Sequence, residues 1–267
     1  MRIYVCVKQV PDTSGVVAVN PDGTLNRASM QTIINHDDLS AMEQALRLKD
    51  ATGCQVTAVT MGPPPAEGML RELLAMGADD AVLISAREFG GSDTFATSQI
   101  ISAAITHLGL GEEDIIFCGR QAIDGDTAQV GPQIAEKMNI PQVTYCAELE
   151  KNGNEIIVKR MLEDGYMKIK VQTPCLITCI KDNEFVPRYM TVNGINDCYS
   201  KPLTVLDFEA LKDEPLIELD TIGLKGSPTN IFKSFTPPLK GVGIMLEGNG
   251  KETCADLAAR LLDKHLI

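Results

Sequence analysis

Residues 119–132 read GRQAIDGDTAQVGP and follow DIIFC at 114–118, an apolar run with the length and boundaries of a buried strand. The turn residues lead into a stretch, 127–138, that predicts a helix. A strand, a glycine-containing turn and an exposed helix N-terminus form an arrangement that holds phosphate in many folds. The turn also contains two carboxylates, Asp124 and Asp126, which would repel a phosphate. The stretch therefore predicts a fold element and leaves its ligand open.

The first half of the chain alternates between strand and helix patterns. Strands are predicted at 2–7, 55–61, 81–85 and 114–118, and helices at 37–50, 65–76, 93–108 and 127–138. Alternation at this spacing is typical of a parallel sheet with helices on both faces. We therefore predict an α/β fold with a doubly wound, mainly parallel sheet of the adenine-nucleotide-binding, Rossmann-like type.

The second half has a different pattern. Short strands are predicted at 156–160, 167–171 and 175–180, and Asn-Gly and Asp-Gly turns ahead of the first two favour hairpins. From about residue 182 the chain is irregular and punctuated by prolines, until a final helix predicted at 252–265. Such a long irregular stretch rarely stays unpaired in a compact domain, which indicates that it wraps onto a partner chain. We predict a nucleotide-binding α/β domain at 1–182, including the hairpin region, and a recognition loop with an extended C-terminal arm at 183–267.

Composition excludes several functional classes. The net charge is −12 and the isoelectric point is about 4.7, which disfavours a nucleic-acid backbone or an anionic membrane as partner. Aromatic residues make up 4% of the chain and tryptophan is absent, so a base-stacking platform is not expected. The N-terminus has no signal-peptide pattern and no segment resembles a membrane span. We expect a cytoplasmic protein.

Catalytic and metal-binding signatures are missing from the sequence. The eight cysteines are scattered through apolar runs, as is typical of reduced core cysteines. The three histidines lie far apart and outside any known catalytic motif, so no catalytic residue is predicted. Asp124 and Asp126 are not followed by the regularly spaced oxygen ligands that a calcium loop requires, and no metal site is predicted.

A phosphate site explains the opening stretch better. Asp126 would cap the following helix, and Gly125 has no Cβ to keep a ligand away from the backbone. An ordinary capped helix would have a similar sequence, so both interpretations stay open at this point. The glycines after the first strand do not form a G-x-G-x-x-G fingerprint, which disfavours standard NAD binding there.

The position of the stretch in the sheet favours a ligand site. In a doubly wound sheet, ligands bind beyond the carboxyl ends of the strands, where the strand order reverses. With the order 3-2-1-4 for the four predicted strands, this crevice lies between the first and the fourth. The loops at 61–63 and 90–94 would open onto the same edge.

The chain resembles a known family, the β (small) subunit of electron-transfer flavoproteins, over nearly its whole length. The shared motifs are VKQVPD at 7–12, EQALRLKD at 43–50, AMGADDAVLI at 75–84, GRQAIDGDTAQVGP at 119–132, PRY at 187–189 and GLKGSPT at 223–229. The stretch VKRMLEDGYMKIKVQTPCLIT at 158–178 is similar to the family's β-subunit signature. It departs from that signature at Met167, where the pattern prefers Glu or Gln.

The resemblance implies a heterodimer with a larger α subunit, on which the C-terminal arm and terminal helix pack. In the family, the crevice between the first and fourth strands holds AMP in simple electron carriers and FAD in the electron-bifurcating branch. That FAD takes a hydride from NADH and sends one electron to ferredoxin or flavodoxin. The other electron passes through a second FAD, in the α subunit, to an acyl-CoA or 2-hydroxy-acid dehydrogenase. The β subunit alone would be inert.

Two positions resemble the bifurcating branch. The carrier branch tends to have a bulky residue in place of Pro11, and three consecutive acids where this chain has Asp124, Gly125 and Asp126. A glycine at 125 removes one charge and leaves room for the longer pyrophosphate of FAD. One alternative is a non-bifurcating carrier that binds AMP in this subunit. Another is a nucleotide-binding module like the universal stress proteins, whose G-x-x-G phosphate loop this chain lacks.

The resemblance also implies site residues, by matching position. The adenosine end of the ligand would contact Cys6, Asn35, Asp38, Met61 and Ala122. The phosphates would rest on the turn that starts at Gly119, on Gly125, Asp126, Thr127, Ala128, Gln129 and Val130. Lys8, Asp93, Thr94 and Thr97 are expected beside the rest of the flavin.

Residues 187–197 correspond to the loop with which the family recognises its dehydrogenase. Val192 matches the apolar anchor position of that loop. The carrier branch has lysines after this anchor, whereas Asn193, Asn196 and Asp197 stand here. This difference leaves the identity of the dehydrogenase open.

Overall fold

A computed structural model describes residues 1–12, 31–181, 186–230, 241 and 243–267 of the chain. The domain boundary expected at 182–183 lies outside these residues. The strands are β1 (Arg2–Cys6), β2 (Gln9–Pro11), β3 (Thr32–Ile34), β4 (Gln55–Met61), β5 (Asp80–Ile84), β6 (Ile115–Gly119), β7 (Gln142–Asn152), β8 (Glu155–Leu162), β9 (Gly165–Gln172), β10 (Cys175–Cys179) and β11 (Leu203–Leu206). The helices are α1 (His36–Thr52), α2 (Glu67–Met76), α3 (Thr94–Leu108), α4 (Val130–Lys137), α5 (Val192–Asp197), α6 (Phe208–Leu211), α7 (Gly223–Gly226) and α8 (Gly250–Asp263), with short 3₁₀ turns at Pro64–Ala66 and Arg87–Phe89.

Nine strands form the main sheet, in the order β11-β5-β4-β1-β6-β10-β7-β8-β9. The segment β5-β4-β1-β6 contains the four strands predicted in the first half, in the expected order 3-2-1-4, and its strands are parallel. Strand order therefore reverses between β1 and β6. The predicted strand order, with its reversal at this point of the sheet, is confirmed.

The sheet is covered on both faces, which confirms the doubly wound α/β fold. Successive residues of β1 point to opposite faces, so Ile3 and Val5 join one core cluster while Tyr4 joins the other. Helices α1 and α2 pack on the first face, and α3 and α4 on the second. Because both faces of β1 are buried after Arg2, residues 3–6 of the strand do not alternate between apolar and polar.

The predicted hairpins are present. Strands β7, β8 and β9 form an antiparallel meander, and β10 then returns to lie parallel between β6 and β7. The eleven-residue strand β7 was not predicted, because its second half lies at the edge of the core and alternates between half-buried and exposed residues. A separate two-stranded sheet joins β2 and β3 just after β1.

The part of the chain expected to be an arm also contributes to the sheet. Strand β11 pairs in parallel with β5 and forms one edge. Farther along, α8 begins at an Asn249 cap and buries none of its residues in the part of the chain that the structure describes. The region after residue 186 thus begins as part of the folded domain and ends in an exposed helix.

Two sequence expectations about the core and the membrane can be compared with the structure. All cysteines are free and all but Cys254 are buried, as the scattered spacing predicted. Across the described ranges, no helix combines the length and the apolar character needed to cross a bilayer.

Helix α4 lies unusually close to the sheet at Gly131. A Cβ atom on Gly131 would be 2.8 Å from the Cγ2 methyl of Thr178 on β10. Thr178 is buried and its hydroxyl accepts a hydrogen bond from the Tyr145 backbone N–H at 3.3 Å. The first turn of α4 therefore depends on a glycine here to approach the strand ends.

We expect Gly131→Ala to lower the free energy of unfolding by about 1–3 kcal/mol, because the new methyl overpacks this contact. The additional change Thr178→Ser removes the clashing methyl and keeps the hydroxyl, so it should restore most of the loss. Chemical denaturation of the two variants and of Thr178→Ser alone measures the coupling. Additive effects of the two changes would contradict this account.

Candidate functional site

The predicted site residues converge on the carboxyl edge of the sheet. Cys6, Met61 and Gly119 are the last residues of β1, β4 and β6, and helices α1, α3 and α4 begin at the same edge. Cys6 and Gly119 are buried, whereas Met61 is half-buried. The carboxyl ends of parallel strands and the N-termini of helices form the usual ligand crevice of such sheets.

Two buried side chains join the loops on either side of the crevice. Asp38 accepts hydrogen bonds from the backbone N–H of Lys8 at 2.8 Å and of Gly119 at 3.0 Å. The Asn35 side-chain amide donates to the carbonyl of Gln121 at 2.8 Å and accepts from the Ile123 N–H at 3.2 Å. Asn35 and Asp38 therefore fix the end of β1 to the end of β6.

This bracing requires a glycine at the end of β6. A Cβ atom on Gly119 would overlap the Asp38 carboxylate and the backbone of Asp37. Asn35 and Asp38 are also almost inaccessible, with 0% and 6% of their surface exposed. Both residues, which were expected to contact the adenosine, position the backbone at the ends of β1 and β6.

The buried position changes the acidity of Asp38. Burial raises the pKa of this carboxyl to about 7, and the hydrogen bonds from Lys8, Asn35 and Gly119 oppose the rise. The neighbouring Asp37 carboxylate adds to the rise. Asp38 is therefore a buried acid that titrates near neutral pH.

The two acids of the turn have partners. The Lys8 ammonium lies 2.8 Å from both carboxylate oxygens of Asp124, so this pair bridges the mouth of the crevice from the β1 loop to the β6 loop. The Gln121 side-chain amide donates to Asp126 at 2.8 Å. The charge that would repel a phosphate is thus compensated at Asp124 and hydrogen-bonded at Asp126.

The backbone of the turn differs from the prediction. Helix α4 begins at Val130, not at 127, because Asp126 and Ala128 have positive φ angles of 51° and 53°. L-residues in this left-handed region are rare in helices and mark strained turns. The prediction that Asp126 caps the helix is therefore wrong. The capping position is occupied by Gln129, whose side chain makes no cap hydrogen bond.

These features fit a phosphate-containing ligand. With no side-chain cap, the first backbone N–H groups of α4, at Val130 and Gly131, are left for an external acceptor. A Cβ atom on Gly125 would meet no other atom within 4 Å, so the turn is open at this residue. Thr127 is exposed and Ala128 half-buried, and both lie in the turn ahead of the helix.

The start of α3 forms the neighbouring wall. Asp93 caps this helix by accepting from the Ala96 N–H at 3.0 Å, and its other oxygen accepts from the N–H and hydroxyl of Thr229. Burial acts to raise the pKa of Asp93, but these hydrogen bonds outweigh it and hold the pKa below the usual range. Its carboxylate, expected beside the flavin, joins the start of α3 to Thr229.

The two helix N-termini also contact each other. The Thr94 hydroxyl donates to the Gln129 side chain at 3.2 Å, and this bond joins α3 to the turn before α4. Thr97, one turn further into α3, is half-buried on the same helix. Thr94 and Gln129 thus lie together, as the predicted site requires.

Some residues of the crevice were not predicted. Gln121 and Ile123 contact Asn35, and Asp124, which was not among the predicted site residues, pairs with Lys8. Opposite charges after two strands predicted to be neighbours, β1 and β6, were a signal available in the sequence. Val192, the predicted partner-binding residue, is the first residue of α5 and is 76% exposed.

Comparison with known proteins points to one family. A family model described as "Electron transfer flavoprotein domain" matches residues 22–211. The acryloyl-CoA reductase electron transfer subunit gamma of Anaerotignum propionicum is 79% identical over 267 residues and both chains are covered completely. The caffeyl-CoA reductase-Etf complex subunit CarD of Acetobacterium woodii and the electron transfer flavoprotein subunit beta of Thermoanaerobacterium thermosaccharolyticum are each 48% identical over both full chains.

Asp38 predicts a specific pH dependence of stability. Its pKa is about 7 in the folded protein and near 3.9 when unfolded, so only the unfolded chain loses the proton between these values. Stability should therefore fall as the pH rises from about 4 to 7, by up to about 1.4 kcal/mol per pH unit, and then level off. Denaturant unfolding across this range should show the fall in the wild type and not in Asp38→Asn. Parallel curves for the two proteins would contradict the assignment.

Proposed function

The chain belongs to the electron transfer flavoprotein family as a β-type subunit, and we propose that it forms an electron-bifurcating complex with a larger α subunit. The crevice between β1 and β6 holds FAD in this proposal. When bound, FAD would supply the exchange of a hydride from NADH for two single electrons, one for ferredoxin or flavodoxin and one for the FAD of the α subunit. The final acceptor is a flavin-dependent dehydrogenase.

One observation supports this function most directly, the open and charge-compensated turn between β6 and α4. Lys8 balances Asp124, and Gly125 leaves space where a side chain would stand. The uncapped N-terminus of α4 supplies donors and a favourable dipole for a pyrophosphate. Gly125 to Val130 are the residues that would hold the phosphates.

The other residues of the site have supporting roles in this proposal. Cys6, Met61 and Ala122 line the adenosine side, and Asn35 and Asp38 hold the backbone on which the ligand rests. Thr94 and Thr97 on α3 face the rest of the flavin, and Asp93 fixes the start of their helix. Lys8 lies at the crevice mouth, where it offsets the Asp124 carboxylate that would otherwise repel an anionic ligand.

The names of the relatives point to the class of dehydrogenase. Two of them are named as subunits of acryloyl-CoA and caffeyl-CoA reductase complexes. We infer that this chain serves an acyl-CoA reductase, and that residues 183–267 recognise partners. Helix α8 supports this role, since its Leu257 and Leu262 are exposed and would be covered by the α subunit.

The first test is the cofactor content of the complex purified with its α subunit. We expect two FAD per heterodimer on denaturation, with one pool reduced by NADH. Gly125→Asp should reduce the content towards one FAD, because the added carboxylate faces the pyrophosphate while its Cβ meets no protein atom. Release of one FAD and one AMP from the wild type would make the chain a simple carrier.

Gly68→Asp is the matched control for this variant. Gly68 lies on α2, which packs on the opposite face of the sheet from α3 and α4, and a Cβ there also has nothing within 4 Å. The Gly68→Asp variant adds one negative charge to the protein, as Gly125→Asp does. Equal loss of FAD in both variants would show that net charge, and not the turn, sets the retention of FAD.

The second test concerns the dehydrogenase. We expect Val192→Asp to slow electron transfer from the reduced complex to an acyl-CoA reductase by about tenfold or more, because the charge replaces an exposed apolar anchor. FAD content and reduction by NADH should stay unchanged. Stopped-flow oxidation of the complex by the reductase measures the rate, and an unchanged rate would remove Val192 from the contact.

A further inference from the structure

Residues 186–199, called here the docking segment, combine an exposed apolar surface with an unusually fixed backbone. The side chains of Tyr189, Val192 and Tyr199 are 88%, 76% and 76% exposed. Yet the segment is attached at both ends to the helices α1 and α2. A surface loop with few contacts would be mobile, so these attachments require an explanation.

The first attachment joins Arg188 to helix α1. The Arg188 backbone N–H and its Nε both donate to Glu43 Oε2, at 3.0 and 2.9 Å, and its Nη2 donates to Glu43 Oε1 at 3.1 Å. The same Nη2 donates to Asp50, two turns further along the same face of α1, at 2.8 Å. The side chain of Glu43 is only 5% exposed. A buried carboxylate held by backbone and guanidinium fixes both the position and the direction of the chain at Arg188.

The second attachment joins the other end to helix α2. Arg71 donates to the carbonyls of Cys198 and Lys201 at 2.9 and 3.2 Å, and Lys201 donates to the carbonyls of Leu74 and Ala78 at 2.8 and 2.6 Å. Between the two ends, the segment touches α2 at Gly194. A Cβ atom there would overlap the carbonyl of Ala75.

We propose that Glu43 and Arg188 are positioning residues for the dehydrogenase, which hold the docking segment in its binding conformation before the partner arrives. This inference rests on the proposed electron transfer to an acyl-CoA reductase. A segment ordered in advance loses less conformational entropy on association, so the pair contributes to the affinity for the partner. The attachments end at α1 and α2 and do not touch the flavin side of the crevice.

A positioning role predicts a change in the KM for the reductase alone, which a purely structural role does not predict. In Arg188→Gln the apparent KM for the acyl-CoA reductase should rise about tenfold, because the unbound segment becomes disordered. The kcat at saturating reductase, the FAD content and the reduction by NADH should stay the same. Arg188→Lys keeps the charge but cannot make the forked contact, so its KM should lie between those of the wild type and Arg188→Gln.

Arg47→Gln is the matched control. Arg47 also donates to Glu43, through its Nε to Oε1 at 3.2 Å, so this variant removes a guanidinium from the same carboxylate and leaves Arg188 in place. Its KM should remain near the wild-type value. Asp50→Asn should also raise KM, but less than Arg188→Gln does. The Asp50 side chain is 63% exposed, so this variant changes no buried residue.

The experiment uses the complete heterodimer, reduced with dithionite and mixed with increasing concentrations of the acyl-CoA reductase. Hydrogen exchange of the Ile195 and Cys198 amides, which bond to Thr191 and Gly194, reports the order of the segment in the same samples. Faster exchange and a raised KM in Arg188→Gln, with normal values in Arg47→Gln, support the proposal. An unchanged KM in Arg188→Gln, or an equal change in Arg188→Gln and Arg47→Gln, overturns the positioning role. The proposed electron transfer to the reductase is not affected by either result. A wild-type complex that reduces no acyl-CoA reductase overturns the proposed function as well.

Discussion

The site depends on the carboxylate of Asp38, which holds the ends of two parallel strands together. Neighbouring strands in a sheet are joined by backbone hydrogen bonds only as far as the ladder extends. Beyond it, the chains diverge into loops with unpaired N–H groups, and each such group needs a partner if it is buried. Asp38 accepts from one such group on each side, at Lys8 after β1 and at Gly119, the last residue of β6, and Asn35 accepts from the Ile123 N–H farther along the β6 loop. The crevice keeps its width because its walls share these two side chains.

The acidic composition of the protein is compatible with an anionic ligand because charge is arranged locally. With a net charge of −12, the chain as a whole repels phosphate. Around the turn, Lys8 compensates Asp124, and the N-terminus of α4 presents the positive end of a helix dipole. Screening limits the reach of the remaining charges to about 8–10 Å at physiological ionic strength. The local field of the turn therefore matters more for a bound ligand than the overall charge.

The sequence predicted the larger architecture and missed the details that depend on distant contacts. Strand β4 was predicted to the residue, and the order of the first four strands was correct, since buried parallel strands have a strong and local pattern. The start of α4 was misplaced because two non-glycine residues adopt positive φ there, which no local rule indicates. The Lys8–Asp124 pair joins residues 116 positions apart, and the contact of Arg188 with Glu43 spans 145. Contacts of this kind follow from the completed fold.

Helix α1 serves both the crevice and the docking segment, and its length separates them. Its 17 residues contain neither glycine nor proline, so it has no built-in hinge. Asp38 and Asp50 are separated by about 18 Å along the axis at the usual rise per residue. The helix therefore sets a fixed distance between the crevice and the docking segment.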